Sequence, residues 1–430
     1  MLRVAHPKER RSMSVIALVG GRILQGPELR PATVLIEDER IRRVDGGAPS
    51  ADARQLDVTG LTIVPGLIDV HTHPTSPAAM AVYVRAGVTS VRFAGTPPGA
   101  AADLRRRIES GALPGPRIFS CGPILDEPPG AWPESTRHVS GPDEARQVVC
   151  QTIDAEADAL LVAQRVRPAT LAGIAEAAHE RGVPLTGQTW TTSVREAVQA
   201  GMDGVENTAR LPEDPRLDGD WVEGYTSIGH RLARLVFLWR TAPQGPIDEV
   251  LELMLERGID WAPELCSFAH WAGLTDRPII AVPGYAALSD GDKAAIPRSR
   301  ARTAEGWINV DRENTRAAIE RIQTALRAYH RRGGPVAVGT DVHPGGLFYH
   351  LELRYLAGAG LSNREVIAAA TVGGARALRR SADLGAVEPG KLADLIAVDG
   401  DPLRDLDALA RVRHTVVGGR LVVEHGRLAA

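Results

Sequence analysis

At 430 residues with a formal net charge of −3, the chain is long for one domain and close to neutral, so one large core with an appendage fits and no nucleic acid or other polyanion is implied as a partner. Cys121, Cys150 and Cys266 are an odd, widely spaced set without a Cys-x-x-Cys, and read as reduced, mostly buried thiols. Residues 14–19 are too short for the apolar core of a secretion signal and no run approaches the ~18 apolar residues that span a bilayer, so a cytoplasmic protein without membrane association is expected.

Residues 1–13 read as a disordered lead. From 14 to 64, short apolar segments alternate with turns at Gly20-Gly21 and Gly46-Gly47, a hairpin-rich β pattern, and the last fifty residues return to the same texture. Two β segments each too small for a core should pair into one small β-sandwich, giving 1–64 and 381–430 as its halves and 65–380 as the domain between them. Between the ends, strands are predicted at 63–70, 88–93, 117–121, 159–163, 183–187, 204–207, 259–263 and 336–340, each followed by a helical stretch. Leu171, Ile174, Ala175 and Ala178 form one apolar helical stripe, and Ile247, Val250, Leu251, Met254 and Leu255 another. Eight such units predict an α/β fold of the (β/α)8 TIM-barrel type, with its chemistry at the strand C-terminal ends. Residues 210–243 and 268–312 break the rhythm and read as long loops, apart from a helical run near His230–Arg240.

The apolar run Leu67-Ile68-Asp69-Val70 ends in His71-Thr72-His73, and alternation along a strand projects the two imidazoles to one side, as metal ligands require. Around it, Val64-Pro65-Gly66-Leu67-Ile68-Asp69-Val70-His71-Thr72-His73 resembles the first barrel strand of the amidohydrolase superfamily. Gly339-Thr340-Asp341 resembles its last-strand motif, and Leu384-Gly385-Ala386-Val387-Glu388-Pro389-Gly390-Lys391-Leu392-Ala393-Asp394-Leu395 its C-terminal signature. The similarity is to the imidazolonepropionase-like and prolidase-like branch.

The resemblance implies a divalent metal on His71, His73 and Asp341, with further ligands from a carboxylated lysine on strand four and histidines on strands five and six. Those further positions depart from the pattern: they fall at Leu161, Gln188 and Asn207, and Lys8, Lys293 and Lys391 are the chain's three lysines. A two-metal site is therefore not expected. Two histidines and one carboxylate suffice for a mononuclear site with open positions, zinc being the first expectation and iron or manganese the alternatives. His343 and Glu264 are candidate extra ligands, with His270, His230 and Glu206 behind them. Gln188, Asn207, Trp190 and His270 are candidate contacts to a small-molecule substrate. The expected activity is hydrolysis of an amide, cyclic amide or related C–N bond with Asp341 as general base. The alternatives are a repurposed site for C–C cleavage, isomerisation or hydration, or a non-catalytic, metal-poor binding protein. A homodimer is the default for an enzyme of this size.

Overall fold

A computed structural model describes residues 15–25, 28–49, 53–73, 76–97, 99–130, 132, 134–207, 210–213, 227–274, 280 and 284–429. The expected lead at 1–13 lies outside them.

The apolar alternation at the two chain ends produces one continuous sheet of nine strands. Its central joint is the antiparallel pairing of Leu61–Pro65 with Leu395–Asp399, which brings the N-terminal hairpins beside the C-terminal ones. Ile16, Leu18, Val34, Ile36 and Ile41 from one end share a core with Leu395, Ala397 and Val416 from the other. Gly20-Gly21 is not the expected turn. The strand Val15–Gln25 runs through it as a bulge, and Gly20 supplies the left-handed φ of +82° that the extra residue needs.

The expected strand 63–70 is two strands in two sheets. At Gly66 the chain changes partners: its N–H donates to Asp394 O, whereas that of Leu67 donates to Gly87 O. Leu67–Thr72 then opens a three-stranded parallel sheet with Val88–Phe93 and Arg117–Ser120. A six-stranded sheet contains Leu160–Val162, Leu185–Gly187, Gly204–Glu206 and Asp260–Ala262 in parallel, preceded by two short strands absent from the expectation, Ile124–Asp126 and Thr136–His138. Segment 336–340 has one bridge, Trp261 to Val336, rather than a ladder. Its backbone is nevertheless bonded on both sides, Ala337 N to Trp261 O and Val70 N to Val338 O. The other gap is crossed by Asp158 N to Ser120 O. The arrangement is a TIM-barrel-like α/β fold with a second, β domain.

Both apolar stripes lie where expected, on the helices Pro168–Glu180 and Gln244–Arg257, with Leu171, Ile174, Val250 and Met254 buried in the main core. Among its described residues, region 268–312 is corrected from loop to largely helix: Leu265–Ala272 is wholly buried, and Asp290–Thr303 starts at Ser289, whose Oγ accepts the Asp292 N–H, while 275–279 and 281–283 lie outside the described residues. Its Pro and Gly content hid that pattern from the sequence, and Pro297 sits inside the second helix. The helical run near His230 is the helix Ile228–Thr241. Cys121 and Cys266 are buried free thiols, and burial pushes the pKa of Cys121 up to about 12. Among the described residues no helix is long and apolar enough to cross a membrane.

Candidate metal centre

Four acidic or imidazole groups from distant parts of the chain meet where parallel strands end. His71 is on Leu67–Thr72, Glu206 closes Gly204–Glu206, Glu264 lies two residues past Asp260–Ala262, and Asp341 follows the bridged segment. Asn207, Glu264 and Asp341 have positive φ values of 60°, 54° and 45°. Non-glycine residues adopt that conformation at a cost that surrounding structure must offset, and it concentrates at working sites. At Asn207 the consequence is visible. Glu206 already faces the centre, so ordinary alternation would turn Asn207 away, yet its Nδ2 donates to Asp341 Oδ2 at 3.0 Å.

His73 Nε2 lies 2.8 Å from Asp341 Oδ1, and His71 Nε2 lies 3.4 Å from the same oxygen. The two rings meet edge-on, 5.4 Å between centroids. The expected side-by-side projection is therefore found, although Leu67–Thr72 carries register shifts and His73 is just beyond its end. His71 turns its other nitrogen to Glu206 Oε2, and Glu264 Oε1 is 3.3 Å from that same Nδ1. Gly339 leaves the necessary room: a Cβ there would stand 2.9 Å from Glu264 Oε1 and 3.1 Å from His71 Cβ.

Burial sets the electrostatics. It disfavours the His71 cation, but Glu264, Glu206 and Asp341 outweigh it and push the His71 pKa well above the ordinary value. Burial likewise works against an Asp341 anion, and the two imidazoles overcome it, holding the carboxyl well below its usual range. For Glu264 burial wins, and its pKa rises well above the carboxylate norm. Among the described residues, both Glu264 oxygens and His71 Nε2 are buried without a hydrogen-bond partner. Such atoms are costly unless something binds them. One nitrogen or oxygen from each of His71, His73 and Asp341 lie within 4.8 Å of one another, and the same holds for His71, Glu206 and Glu264. An imidazole-and-carboxylate set with orphaned atoms fits a divalent first-row cation.

The other expected residues divide. Gln188 is buried one residue past Leu185–Gly187, its N–H bonded to Val162 O. Trp190 packs in the main core. His270 sits edge-on to Phe348 at 4.7 Å, with neither ring nitrogen hydrogen-bonded, and burial lowers its pKa to about 4. His343 is half-buried beside the centre and outside the two donor groups; burial, then the nearby His73, lowers its pKa. His230 is remote in role: its Nδ1 meets Ser227 Oγ at the start of its own helix. Leu161 lies in an apolar cluster with Ala94, Cys121 and Ile124, and Lys293 sits over the Tyr285 ring, so neither brings a lysine to the metal centre.

Two residues gained importance only in three dimensions. Glu206 ranked low in the sequence, and Arg92 went unnoticed. The signal for Arg92 was a lone guanidinium inside an otherwise apolar and hydroxylic strand, Val88–Phe93.

The Amidohydrolase family model matches residues 62–422. Imidazolonepropionase of Shouchella clausii (strain KSM-K16) is 36% identical over 110 residues, 24% of each chain, so the matched stretch spans about a quarter of that relative. Dihydroorotase of Syntrophotalea carbinolica is 50% identical over 44 residues, 10% of each. A putative prolidase from Bifidobacterium longum superposes with a TM-score of 0.69 at 25% identity, covering 97% of this chain and 96% of that one. Ochratoxinase of A. niger shares the fold at a TM-score of 0.67 and 19% identity, with 96% of each chain covered. Since the family match runs from the strand Leu61–Pro65 into Arg420–Glu424 and takes in His71, His73 and Asp341, the chain belongs to the amidohydrolase family.

Proposed function

We propose that the protein is a metal-dependent hydrolase of an amide, cyclic amide or related C–N bond in a small molecule, working through one metal. The observation that carries this reading is the convergence of His71, His73 and Asp341 on one point at the strand ends. The relatives named imidazolonepropionase and prolidase support the bond type. Hydrogen bonds across both gaps between the parallel sheets support a closed eight-stranded barrel, here assigned to 65–380, with 1–64 and 381–430 as the β domain.

His71, His73 and Asp341 would hold the cation, with Glu264 as a further ligand since both its oxygens are free of hydrogen bonds. Zinc suits this donor set. A bound divalent cation supplies water that ionises near neutral pH and polarises the scissile carbonyl. Asp341 accepts the proton from the attacking water and delivers it to the leaving nitrogen. Asn207 fixes the carboxylate plane through Oδ2. Gln188, buried past the neighbouring strand, offers a neutral amide to the substrate.

The test is metal analysis of chain purified without chelator, together with turnover of a panel of Xaa-Pro dipeptides, N-acyl amino acids and cyclic amides. About one equivalent of zinc and a loss of about 10²- to 10⁴-fold in turnover for Asp341→Asn are expected. Metal below about a tenth of an equivalent, or wild-type turnover in the variant, would overturn the reading.

A further inference from the structure

Glu206 belongs to a donor group with His71 and Glu264, yet its hydrogen bonds argue against its being a ligand. Its Oε1 takes the Arg92 guanidinium and the Thr186 hydroxyl, the latter at 2.7 Å, and its Oε2 faces His71 Nδ1. A carboxylate with both oxygens so engaged has little left to offer a cation. Glu264 is its opposite: Oε1 lies 3.3 Å from the same Nδ1, but neither oxygen has a hydrogen-bond partner among the described residues.

Arg92 is itself buried and doubly anchored, since its Nε donates to Val70 O at 2.6 Å, one residue before His71. The guanidinium therefore ties the backbone of the first parallel strand to the carboxylate that faces that strand's imidazole. An ionised carboxylate only accepts, so the ring nitrogen opposite Glu206 must be the donor. With Nδ1 donating to Glu206, Nε2 is the nitrogen turned to Asp341, without a hydrogen-bond partner among the described residues and open to a cation that displaces its proton. Carboxylates behind metal-binding imidazoles set tautomer and ring orientation in this way.

We infer that Glu206, held by Arg92 and Thr186, is a positioning residue that keeps the His71 Nδ1–H turned to itself and so aims Nε2 at the metal position. The inference rests on the proposed metal site for its purpose, but the ring orientation is a property of the metal-free chain. Four strands contribute, His71 from Leu67–Thr72, Arg92 from Val88–Phe93, Thr186 from Leu185–Gly187 and Glu206 from Gly204–Glu206, so the arrangement forms only when the strands assemble.

The experiment uses the full chain, metal-free and labelled with 15N at histidine, as wild type, Glu206→Gln and the paired Arg92→Gln/Glu206→Gln variant. The pair removes both charges together and so avoids stranding a buried guanidinium. The His71 Nδ1–H ring signal, identified by its disappearance in His71→Gln, is expected far downfield and slow to exchange in wild type, and moved upfield or lost to solvent exchange in both variants. Cobalt(II) affinity, read by chelator competition, is expected to fall about 10- to 100-fold in both. A purely structural ion pair would lower stability while leaving the ring signals and the cobalt affinity of the folded chain unchanged. Either the wild-type Nδ1–H signal persisting in both variants or wild-type cobalt affinity in both overturns the inference. Should wild type bind no cobalt, the proposed function fails, and the ring signals alone decide whether Glu206 locks His71.

Discussion

Gln188 and Asn207 stand beside the candidate centre and differ in what the backbone lets each side chain reach. Both are amides at positions where the family resemblance implies histidine, and both are buried beside the strand ends. Asn207 has been turned to a new use, bonding Asp341 through a backbone conformation that few residues tolerate. Gln188 is one residue past Leu185–Gly187, on the strand whose Thr186 bonds Glu206, and no tightly bent backbone separates it from the centre. Gln188→His is accordingly expected to raise metal affinity by about tenfold or more, since it replaces a poor ligand with a good one. Titration with zinc against a chelating dye measures it, and an unaltered affinity would place residue 188 outside reach of the metal.

Among the elements, the short helix Val194–Gln199 shows how little local structure is left to chance near the site. It follows the loop that carries Gln188 and Trp190, and six residues are too few for a helix to hold itself together. A reciprocal cap compensates: Ser193 Oγ accepts the Glu196 N–H, and Glu196 Oε2 accepts the Ser193 N–H at 2.8 Å. Ser193→Ala should cost about 1 kcal/mol in urea denaturation, as loss of a side-chain cap does. A change within about 0.3 kcal/mol would mean that packing of Val194 and Val198 alone holds the helix. The cap is local, closed within four residues. The sequence is less legible at Asp290–Thr303, where prolines and glycines suggest loop, because the partners that bury Asp292 and Ile296 come from elsewhere.

For the whole molecule, buried neutral histidines outside the centre tie stability to pH. Burial lowers the pKa of His350 to about 4, only partly offset by its hydrogen bond to Ala86 O. His414, in the β domain, is lowered to about 4 by burial and by His425. Between about pH 6.5 and 4 the unfolded chain binds protons that the folded chain refuses. Each of these histidines therefore contributes stability that is present above about pH 6.5 and lost as acid is added, opposite in sign to Asp69 and Glu352, which burial raises to about 7. In urea denaturation between about pH 7 and 4.5, the stability of His350→Gln, which keeps a donor for Ala86, should increase with pH less steeply than that of wild type, by up to one proton. Identical slopes for the two proteins would show that His350 is already charged in the fold.

What the sequence determined by itself was local or carried by motif. Strand and helix periods follow from which residues must be buried, so the parallel strands and the apolar stripes were legible within a few residues, and His71, His73 and Asp341 were marked by the motifs around them. The tertiary structure decided which partner each group meets. The run through Gly66 reads as one strand because apolar residues flank it on both sides, and only the change of partner from Asp394 at Gly66 to Gly87 at Leu67 divides it between two sheets. Arg92 and Glu206 are 114 residues apart, and no periodicity relates them. Burying a charge is prohibitive without a counter-charge, and where that counter-charge lies is settled by strand order across the assembled sheets, not by neighbours along the chain.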